Sequence, residues 1–401
     1  MEKNNKLILH IVFDGILFDG VSNRFDQMDG YKNVYLLNYY CENTSFKYKF
    51  IKNVHKIVVA KDEDEWGRII SNPNIDIIYF HGLWAESTKA VKYISKKAVV
   101  VWWCYGMEIY ENALGIAPLL PIKLYKPKTF WLLQKWNLKI HRFTSNFLAY
   151  FSPKVYNFIM RIKYPEKTRT IYSMLGRVDY LFTPLPLEYE EVIRYNKFIK
   201  AKPFRLHLCQ SPDEQPVQHS TPGDILFDHS AVLSNNHADI FHSLKRIDIS
   251  KRTLNIPISY GDEIIKEKIK KYRGFNGANT NYIENPIPYM DYKAMIRKCS
   301  HAFFGGIRQT GLGNIHLCLR NGVKIFFFKD SITYKYLKRA GYIVYSIEDN
   351  LSDDEIKTPL DANAVTHNFN LFYKIHGVSH GSYEQQFDRL LEDSKKTKLN
   401  N

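Results

Sequence analysis

From Cys299 to Cys318 the chain reads CSHAFFGGIRQTGLGNIHLC. The pattern predicts a short apolar strand, Ala302 to Phe304, then a glycine-rich loop and a helix from Asn314 to Arg320. Glycines allow a ligand to approach the backbone closely, and a helix N-terminus offers unpaired N–H groups to an anion. Arg308 in the loop carries a planar set of donors suited to phosphate oxygens. The stretch therefore predicts a βα unit that binds a diphosphate, with an ordinary glycine-rich turn as the alternative.

Two better-known phosphate motifs do not fit this loop. Gly306 and Gly311 have the spacing that opens a Walker A loop, but Leu312 and Gly313 follow where Lys and Ser or Thr are required. Gly311-x-Gly313 begins a dinucleotide fingerprint, but His316 occupies the position of its third glycine. The sequence thus argues against an ATPase loop and against an NAD site.

The composition is that of a globular protein with an anionic partner. The 401 residues, 45% of them hydrophobic and 15% aromatic, are enough for two domains with cores of their own. The formal net charge of +15 predicts that the partner is a nucleic acid, a membrane surface or a nucleotide ligand. The five scattered cysteines favour a reducing compartment and argue against structural zinc. Without a signal peptide or a run of about 18 apolar residues, we expect a cytoplasmic protein.

Apolar strands alternate with helical patterns in two series along the chain. Such alternation predicts parallel, doubly wound sheets, which bind ligands at the C-terminal ends of their strands. We therefore predict an α/β protein with two Rossmann-like domains whose parallel sheets face a central cleft. The predicted divisions are an N-terminal domain (1–200) with a helical insertion (115–177), a linker (201–224), a C-terminal domain (225–360) and a helical segment with a tail (361–401).

The segment 115–177 differs from the rest of the chain in composition. It holds twelve Lys or Arg residues and one acid, Glu166. Basic amphipathic helices with aromatic residues on the other face lie in membrane interfaces, so we predict contact with an anionic membrane surface. The alternative is an insertion that buries its aromatic residues against the first domain, and nucleic acid is disfavoured because no recognition module accompanies the charge. The aromatic residues of the segment include Trp131, Trp136, Phe143, Phe147, Tyr150 and Phe151.

Ionisable and small polar residues follow several of the predicted strands. In the first series these are His10, His81 and Glu108, which we expect near one edge of the sheet. In the second series, Ser234 and Asn235 lie where a helix begins and could donate to phosphates or simply cap that helix. The next strand ends in Tyr260 and Gly261, which would line a nucleobase pocket or form a plain turn.

Four stretches in order carry a family resemblance. The first stretch is the strand that contains His10. The second is Phe80-His81-Gly82 followed by Trp103-x2-Gly106-x-Glu108-x-Tyr110-Glu111. The others are Ser230-x3-Ser234-Asn235-x-His237, and Tyr289-x-Asp291-Tyr292 through Arg308-Gln309-x-Gly311-x-Gly313. Together they resemble the N-acetylfucosaminyltransferases of the 4-alpha-L-fucosyltransferase family, which act in enterobacterial common antigen synthesis. The chain departs from the family pattern at Glu108, where Asp is usual, and at Asp228-His229, where Gly-Asn is usual.

The resemblance implies a fold and an activity. Members of the family have the GT-B glycosyltransferase architecture and work at the inner face of the bacterial cell membrane. Their donor is a dTDP-activated acetamido-dideoxyhexose such as N-acetylfucosamine. Their acceptor is linked to polyprenyl diphosphate and contributes to a polysaccharide of the cell envelope.

Glycosyl transfer of this kind needs a site for the leaving diphosphate and, for inversion, a base for the acceptor hydroxyl. Metal-independent enzymes stabilise the diphosphate with backbone N–H groups, a helix dipole and a cation. Glu108 is the expected base, with His81 and His10 as alternative bases or as ligands of acceptor hydroxyls. The predicted donor-binding residues are Ser234, Asn235, Tyr260, Gly261, Arg308, Gln309, Gly311, Gly313 and Asn314.

We expect neither a cofactor nor a metal ion. Asp62-Glu-Asp64 has the form of a metal-binding D-x-D motif, but it lies at a predicted helix start, where acidic residues are favoured by the helix dipole. Two alternatives to the dTDP-sugar transferase remain open at this point. One is a GT-B transferase that uses UDP or GDP sugars, and the other is a two-lobed binding protein for an anionic ligand that has no catalytic activity.

Overall fold

The computed structural model describes residues 5–41, 47–135, 152–207, 214–271, 278–377 and 380–399. The chain forms two compact units. Unit 1 comprises Met1–Pro121, Thr144–His207 and His380–Asn401, and unit 2 comprises Ile122–Phe143 and Leu208–Ser379. Several residues singled out above lie outside the described residues, namely Trp136, Phe143, Phe147, Tyr150 and Phe151.

Each unit is built around one sheet of parallel strands, as the alternating sequence pattern predicted. Unit 1 has the strand order β3-β2-β1-β4-β5-β6-β7, and unit 2 has the order β10-β9-β8-β11-β12-β13. The strands of unit 1 are β1 (Lys6–Val12), β2 (Tyr31–Leu37), β3 (Ile57–Val58), β4 (Ile75–His81), β5 (Val99–Trp103), β6 (Tyr180–Phe182) and β7 (Lys202–Pro203). Those of unit 2 are β8 (Asp224–Phe227), β9 (Thr253–Pro257), β10 (Asn279–Ile283), β11 (Cys299–Phe304), β12 (Lys324–Phe327) and β13 (Tyr345–Ser346).

Helices connect and cover these strands. In chain order they are α1 (Phe18–Phe25), α2 (Glu63–Ile70), α3 (Met107–Tyr110), α4 (Pro127–Lys135), α5 (Pro153–Lys163), α6 (Pro165–Arg177), α7 (Pro186–Tyr195), α8 (His237–Leu244), α9 (Glu263–Lys270), α10 (Tyr289–Lys298), α11 (Leu312–Arg320), α12 (Ile332–Arg339), α13 (Ile347–Asn350), α14 (Asp353–Lys357), α15 (Ala362–His376) and α16 (Tyr383–Leu399). None of the helices in the described part of the chain is long and apolar enough to cross a membrane.

The central strands are nearly continuous apolar runs because both faces of each sheet are covered. In β1, the side chains of Ile8, Leu9 and Ile11 have almost no exposed surface. All six residues of β11 are buried, including the polar pair Ser300 and His301. The Arg252 guanidinium donates to Ser300 Oγ at 2.9 Å and lies 2.9 Å from His301 Nδ1, so this polar pair is buried with partners.

The last helix of the chain packs into unit 1. Phe387 and Leu390 of α16 are buried among the core residues of the first sheet. Its Asp388 carboxylate accepts hydrogen bonds from the Tyr31 hydroxyl and from the Lys6 ammonium group, both at 2.5 Å. The C-terminal segment therefore completes the core of the unit that the N-terminal residues begin.

The predicted insertion 115–177 is divided between the two units. Helices α5 and α6 belong to unit 1, where α5 packs Tyr156 against Ala117. Helix α4 belongs to unit 2, because the Lys128 and Thr129 amides at its start donate to the Asp239 carboxylate of α8 at 2.9 and 2.8 Å. The amides that a helix leaves unpaired at its N-terminus thus find their acceptor within unit 2.

Both sheets place a topological switch point at their centre. In each unit the first strand lies inside the sheet, the next strands extend to one side, and a later strand then returns to the other side. The connections diverge between β1 and β4 in unit 1 and between β8 and β11 in unit 2. Ligands of doubly wound sheets bind in the crevice at such points, which directs attention to the loops that follow these four strands.

Candidate active site

In unit 2, an aspartate connects the two loops at the switch point. Asp228 follows β8 and has a positive φ of 58°. Its Oδ2 accepts the Gly305 amide, which follows β11, at 2.9 Å, while its Oδ1 accepts both the amide and the Nδ1–H of His229. Because the carboxylate is completely buried, the free energy of these bonds is not reduced by competition with water. Asp228 therefore fixes the ends of β8 and β11 and also orients His229.

The turn before α8 is held by a second buried side chain, Asn236. This residue has a left-handed conformation and precedes the first helical residue. Its Nδ2 donates to the carbonyls of Gly305, Leu124 and Ser234, and its Oδ1 accepts the Lys126 amide. Neither Ser234 nor Asn235 caps α8, so the capping alternative for these two residues is wrong.

Ser234 and Asn235 lie instead in a single 3-10 turn, Leu233–Asn235. Asn235 is buried, and its Nδ2 donates to the carbonyl and to the hydroxyl of Ser230, both at 3.0 Å. Ser234 accepts a hydrogen bond of 3.4 Å from Nε of Arg308. The structure thus brings the predicted arginine to the predicted serine, across the two loops that Asp228 connects.

The glycine-rich loop runs directly into a helix, as the sequence predicted. Helix α11 begins at Leu312, two residues earlier than expected, so that Gly313 and Asn314 lie in its first turn. Gly311 precedes the helix with φ of +65°, and a Cβ on it would lie 2.7 Å from Nδ1 of His229. A side chain here would collide with the imidazole, so glycine is needed for its missing Cβ as well as for its φ.

The loop after β9 completes this edge of the sheet. Tyr260 accepts the Ala231 amide at its carbonyl, and the residue is about half exposed. Gly261 forms a bridge with Ala231, and a Cβ on Gly261 would lie 2.3 Å from the Ala231 carbonyl oxygen. The predicted donor-binding residues of unit 2 therefore lie on the three loops that follow the adjacent strands β9, β8 and β11, and in the first turn of α11. Gln309 lies on the loop after β11.

In unit 1, two histidines meet at the switch point. Nδ1 of His10 in β1 lies 2.9 Å from Nε2 of His81 at the end of β4. Nε2 of His10 lies 2.9 Å from Oδ1 of Asn33, and Nδ1 of His81 lies 3.3 Å from the Tyr105 hydroxyl. Burial lowers the pKa of His10 to about 4 and that of His81 well below its ordinary value, so both rings are neutral near pH 7.

The neutral state fixes the direction of this chain of hydrogen bonds. Asn33 donates with Nδ2 to the Phe25 carbonyl, so its Oδ1 must accept from His10 Nε2–H. The other nitrogen of His10 then accepts from His81 Nε2–H, because a neutral imidazole carries a single proton. Nδ1 of His81 is left as an acceptor that receives the Tyr105 hydroxyl. His10 itself has no exposed surface.

Glu108, the expected base, is almost completely buried at the adjacent strand end. Its Oε1 accepts the amides of Leu83 and Tyr105 at 3.1 and 3.2 Å, and the Trp102 indole N–H at 3.4 Å. Desolvation raises the pKa of this carboxyl, an effect that these hydrogen bonds oppose. Glu108 thus connects the loops after β4 and β5, and in this conformation its carboxylate is turned inward.

The D-x-D sequence forms a helix start, as predicted. Asp62 caps α2 by accepting the Glu65 amide at 2.8 Å, and Glu63 pairs with Lys89 at 3.1 Å. Among the described residues, no group of three or more His, Cys, Asp or Glu side chains is arranged to hold a metal ion.

Sequence reasoning missed several residues that shape these two edges. Asp228 and His229 appeared only as a departure from a family pattern, and Tyr105, Asn236 and Thr310 were not identified. Thr310 lies 3.0 Å from Nε2 of His229 through its hydroxyl. The available signal was the position of the Asp-His pair immediately after a strand, where side chains face the crevice.

Comparison with solved structures identifies the fold. The chain is similar to Anabaena Alr3699/HepE, solved in complex with UDP and glucose, with a TM-score of 0.59 at 8% identity over 97% of this chain and 100% of that one. It is also similar to a glycosyltransferase from Rickettsia africae ESF-5, with a TM-score of 0.56 at 11% identity over 99% of this chain and 100% of that one. The fold is that of a GT-B glycosyltransferase.

The sequence identifies the family. The model of the 4-alpha-L-fucosyltransferase family, glycosyl transferase group 56, matches residues 30–376, and the chain belongs to this family. The matched range includes the site loops of unit 2 and the loops after β4 and β5 in unit 1. It begins after β1 and therefore does not include His10. No curated protein matches the chain.

We predict that Gly311→Ala lowers the thermal stability of the protein, whereas Gly313→Ala does not. Alanine at 311 meets both a left-handed backbone and the His229 ring, at an expected cost of about 1–3 kcal/mol. A Cβ at 313 meets open space within α11, where alanine is favoured over glycine by up to about 1 kcal/mol. Thermal unfolding of the two variants checks this, and equal melting temperatures would show that the loop does not have this conformation.

Proposed function

We propose that this glycosyltransferase moves an acetamido-dideoxyhexose, such as N-acetylfucosamine, from a dTDP-sugar to a lipid-linked or surface-polysaccharide acceptor. The observation that carries the proposal is the family match, which spans the site loops of unit 2 and most of unit 1. In unit 2, the amides of α11, the Arg308 cation and the hydroxyl of Ser234 supply the groups that a leaving diphosphate requires. Tyr260 is exposed at the adjacent strand end, where it can stack on a nucleobase.

A UDP-sugar donor is the second candidate. It is favoured by the similarity to Anabaena Alr3699/HepE, whose structure contains UDP. Thymine differs from uracil by one methyl group, and a methylene in an apolar pocket changes binding by only about 1–3 kcal/mol. The two donors are therefore distinguished by measurement of nucleotide binding.

We propose that the base that removes the proton of the acceptor hydroxyl lies at the edge of the sheet in unit 1. Among Glu108, His10 and His81, the side chain of His81 retains slight exposure and has an accepting nitrogen, Nδ1. Its hydrogen bond with the Tyr105 hydroxyl, at 3.3 Å, is the longest in the series that joins Asn33, His10, His81 and Tyr105. An acceptor hydroxyl can replace Tyr105 there. In this proposal His10 fixes the tautomer of His81, and Glu108 holds the loops on either side of it.

A membrane surface is the proposed location, and α5 is the proposed contact. Four apolar side chains of this helix, Val155, Phe158, Ile159 and Ile162, are between 42% and 67% exposed. Their spacing of i, i+3, i+4 and i+7 places them on one stripe. Exposed basic residues flank the stripe, and no acidic residue occurs in α5. An apolar stripe bordered by cations matches an anionic leaflet, so we propose that the enzyme binds the inner face of the cell membrane through α5.

We predict that dTDP raises the melting temperature of the protein more than UDP or GDP does. Ligands that bind the native state stabilise it. Arg308→Ala should weaken dTDP binding about tenfold or more, because a hydrogen bond to a charged group contributes about 1.5–3 kcal/mol. Lys338→Ala, which removes an exposed cation of α12, is the matched control and should leave the shift unchanged. The absence of a shift with every nucleoside diphosphate would contradict the transferase proposal.

We predict that His81→Gln lowers kcat about 100-fold or more, the usual contribution of a positioned base. Tyr105→Phe should retain most of the activity, and both variants should keep the thermal shift with dTDP. A base must be unprotonated to act, and burial lowers the pKa of His81. The wild-type kcat/KM should therefore stay constant as the pH falls through the range in which histidines ordinarily become protonated. The kcat of Glu108→Gln decides which residue is the base. A greater loss of kcat in Glu108→Gln than in His81→Gln would identify Glu108 as the base.

We predict that the protein sediments with phosphatidylglycerol vesicles and much less with phosphatidylcholine vesicles. Phe158→Ser should reduce this binding about tenfold, because burial of such a side chain contributes about 1.5–3 kcal/mol. Ile264→Ser, which removes an exposed apolar residue of α9, is the control. If Phe158→Ser and the wild type sediment equally, α5 is not the membrane contact.

A further inference from the structure

His229 occupies a position in which its protonation changes what the glycine-rich loop can offer to a ligand. The Asp228 carboxylate can only accept hydrogen bonds, so the short contact to His229 Nδ1 requires a proton on that nitrogen. Nε2, on the other side of the ring, lies 3.0 Å from the hydroxyl oxygen of Thr310. The state of Nε2 therefore decides in which direction the Thr310 hydroxyl points.

Two arrangements of this hydroxyl are possible. When His229 is neutral, Nε2 has a lone pair, and the Thr310 O–H donates inward to it. When His229 is protonated, Nε2–H donates to the Thr310 oxygen, and the hydroxyl proton is turned outward. Thr310 is partly exposed in the loop that leads into α11, so an outward O–H joins the donors at the start of that helix.

We propose that Asp228, His229 and Thr310 form a proton-linked donor for the diphosphate of the sugar nucleotide. Binding of the diphosphate transfers one proton from solvent to Nε2 of His229, and the Thr310 hydroxyl turns from the imidazole to a phosphate oxygen. His229 acts through Thr310 and is a positioning residue. The added positive charge lies beneath the loop, where it stabilises the charge that develops on the leaving diphosphate. The inference rests on the proposed function of unit 2 and extends it to the pH dependence of donor binding.

Several ionisable groups surround the His229 imidazole. Asp228 faces it from its own loop, Tyr260 from the loop after β9, and His237 from the start of α8. Arg308 of the glycine-rich loop lies near Tyr260. Tyr292 of α10 lies near Asp228 and Tyr260. Burial lowers the pKa of His237 to about 4 and raises the pKa values of both tyrosines, so none of these three changes charge between about pH 5 and pH 8.

Close packing keeps the His229 ring in place against Asp228. The His229 ring lies against the Cα of Gly311, where a Cβ would approach three ring atoms to between 2.7 and 3.0 Å. Asp228 and His229 are both buried, so the contact is not exposed to the screening that weakens surface ion pairs. The carboxylate and the imidazole are therefore held in one arrangement.

The test measures dTDP binding by isothermal titration calorimetry between about pH 5 and pH 8, in buffers of different ionisation enthalpy. Wild-type protein should take up protons on binding, and its affinity should fall as the pH rises. The phosphate of dTDP itself titrates near pH 6, so the matched variant His229→Gln isolates the protein's share. His229→Gln and Thr310→Val should both reduce the proton uptake and flatten the pH dependence, whereas Thr310→Ser should restore it.

The outcomes separate this inference from the proposed function. If His229→Gln or Thr310→Val, folded as judged by its melting temperature, binds dTDP with the wild-type pH dependence and proton uptake, the proton-linked donor is wrong while the transferase proposal stands. If wild-type protein binds neither dTDP nor UDP at any pH, the proposed donor site itself is wrong. Reduced proton uptake in both variants together with recovery in Thr310→Ser supports the inference.

Discussion

The hydrogen bond from the Gly305 amide to the buried Asp228 carboxylate is the interaction on which the rest of unit 2 depends. It joins the ends of β8 and β11, whose loops diverge at the switch point of the sheet. The same carboxylate orients His229, and the ring of His229 in turn requires that residue 311 be glycine. Together with the bond from Asn236 to the Gly305 carbonyl, it holds the glycine-rich loop against the turn before α8 and so places Arg308 next to Ser234.

Unit 1 connects its strand ends with two neutral imidazoles and one buried carboxyl group. His10 and His81 connect β1 to β4, and Glu108 connects the loops after β4 and β5. Burial keeps both imidazoles uncharged, whereas in unit 2 a carboxylate lies against the histidine. In the proposed function, the switch point of unit 1 supplies an acceptor for a hydroxyl proton, and that of unit 2 supplies donors to a phosphate. The two sites differ in whether a carboxylate is hydrogen-bonded directly to the histidine.

Much of the fold could be predicted because it depends on local patterns. Apolar runs followed by helical periodicity predicted two parallel sheets, and the run from Cys299 predicted a strand, a loop and a helix in their correct order. Strand β2 has no comparable signal in the sequence, because Lys32 and Asn33 interrupt its apolar pattern. Asn33 accepts a hydrogen bond from His10, a partner that only the fold brings near. Helix α11 was predicted two residues short because Leu312 and Gly313 do not have the character of a helix start.

The sequence by itself determined the class of fold, the glycine-rich loop and the basic character of the segment from 115 to 177, because each of these is written in neighbouring residues. Tertiary structure alone decided which side chains meet. Asp228 reaches Gly305 across 77 residues, and His10 reaches His81 across 71. It also decided that Glu108 is turned inward and that α4 and α5 belong to different units. The physical reason is that burial and hydrogen-bond partners depend on the order of strands in a sheet, which a linear pattern does not contain.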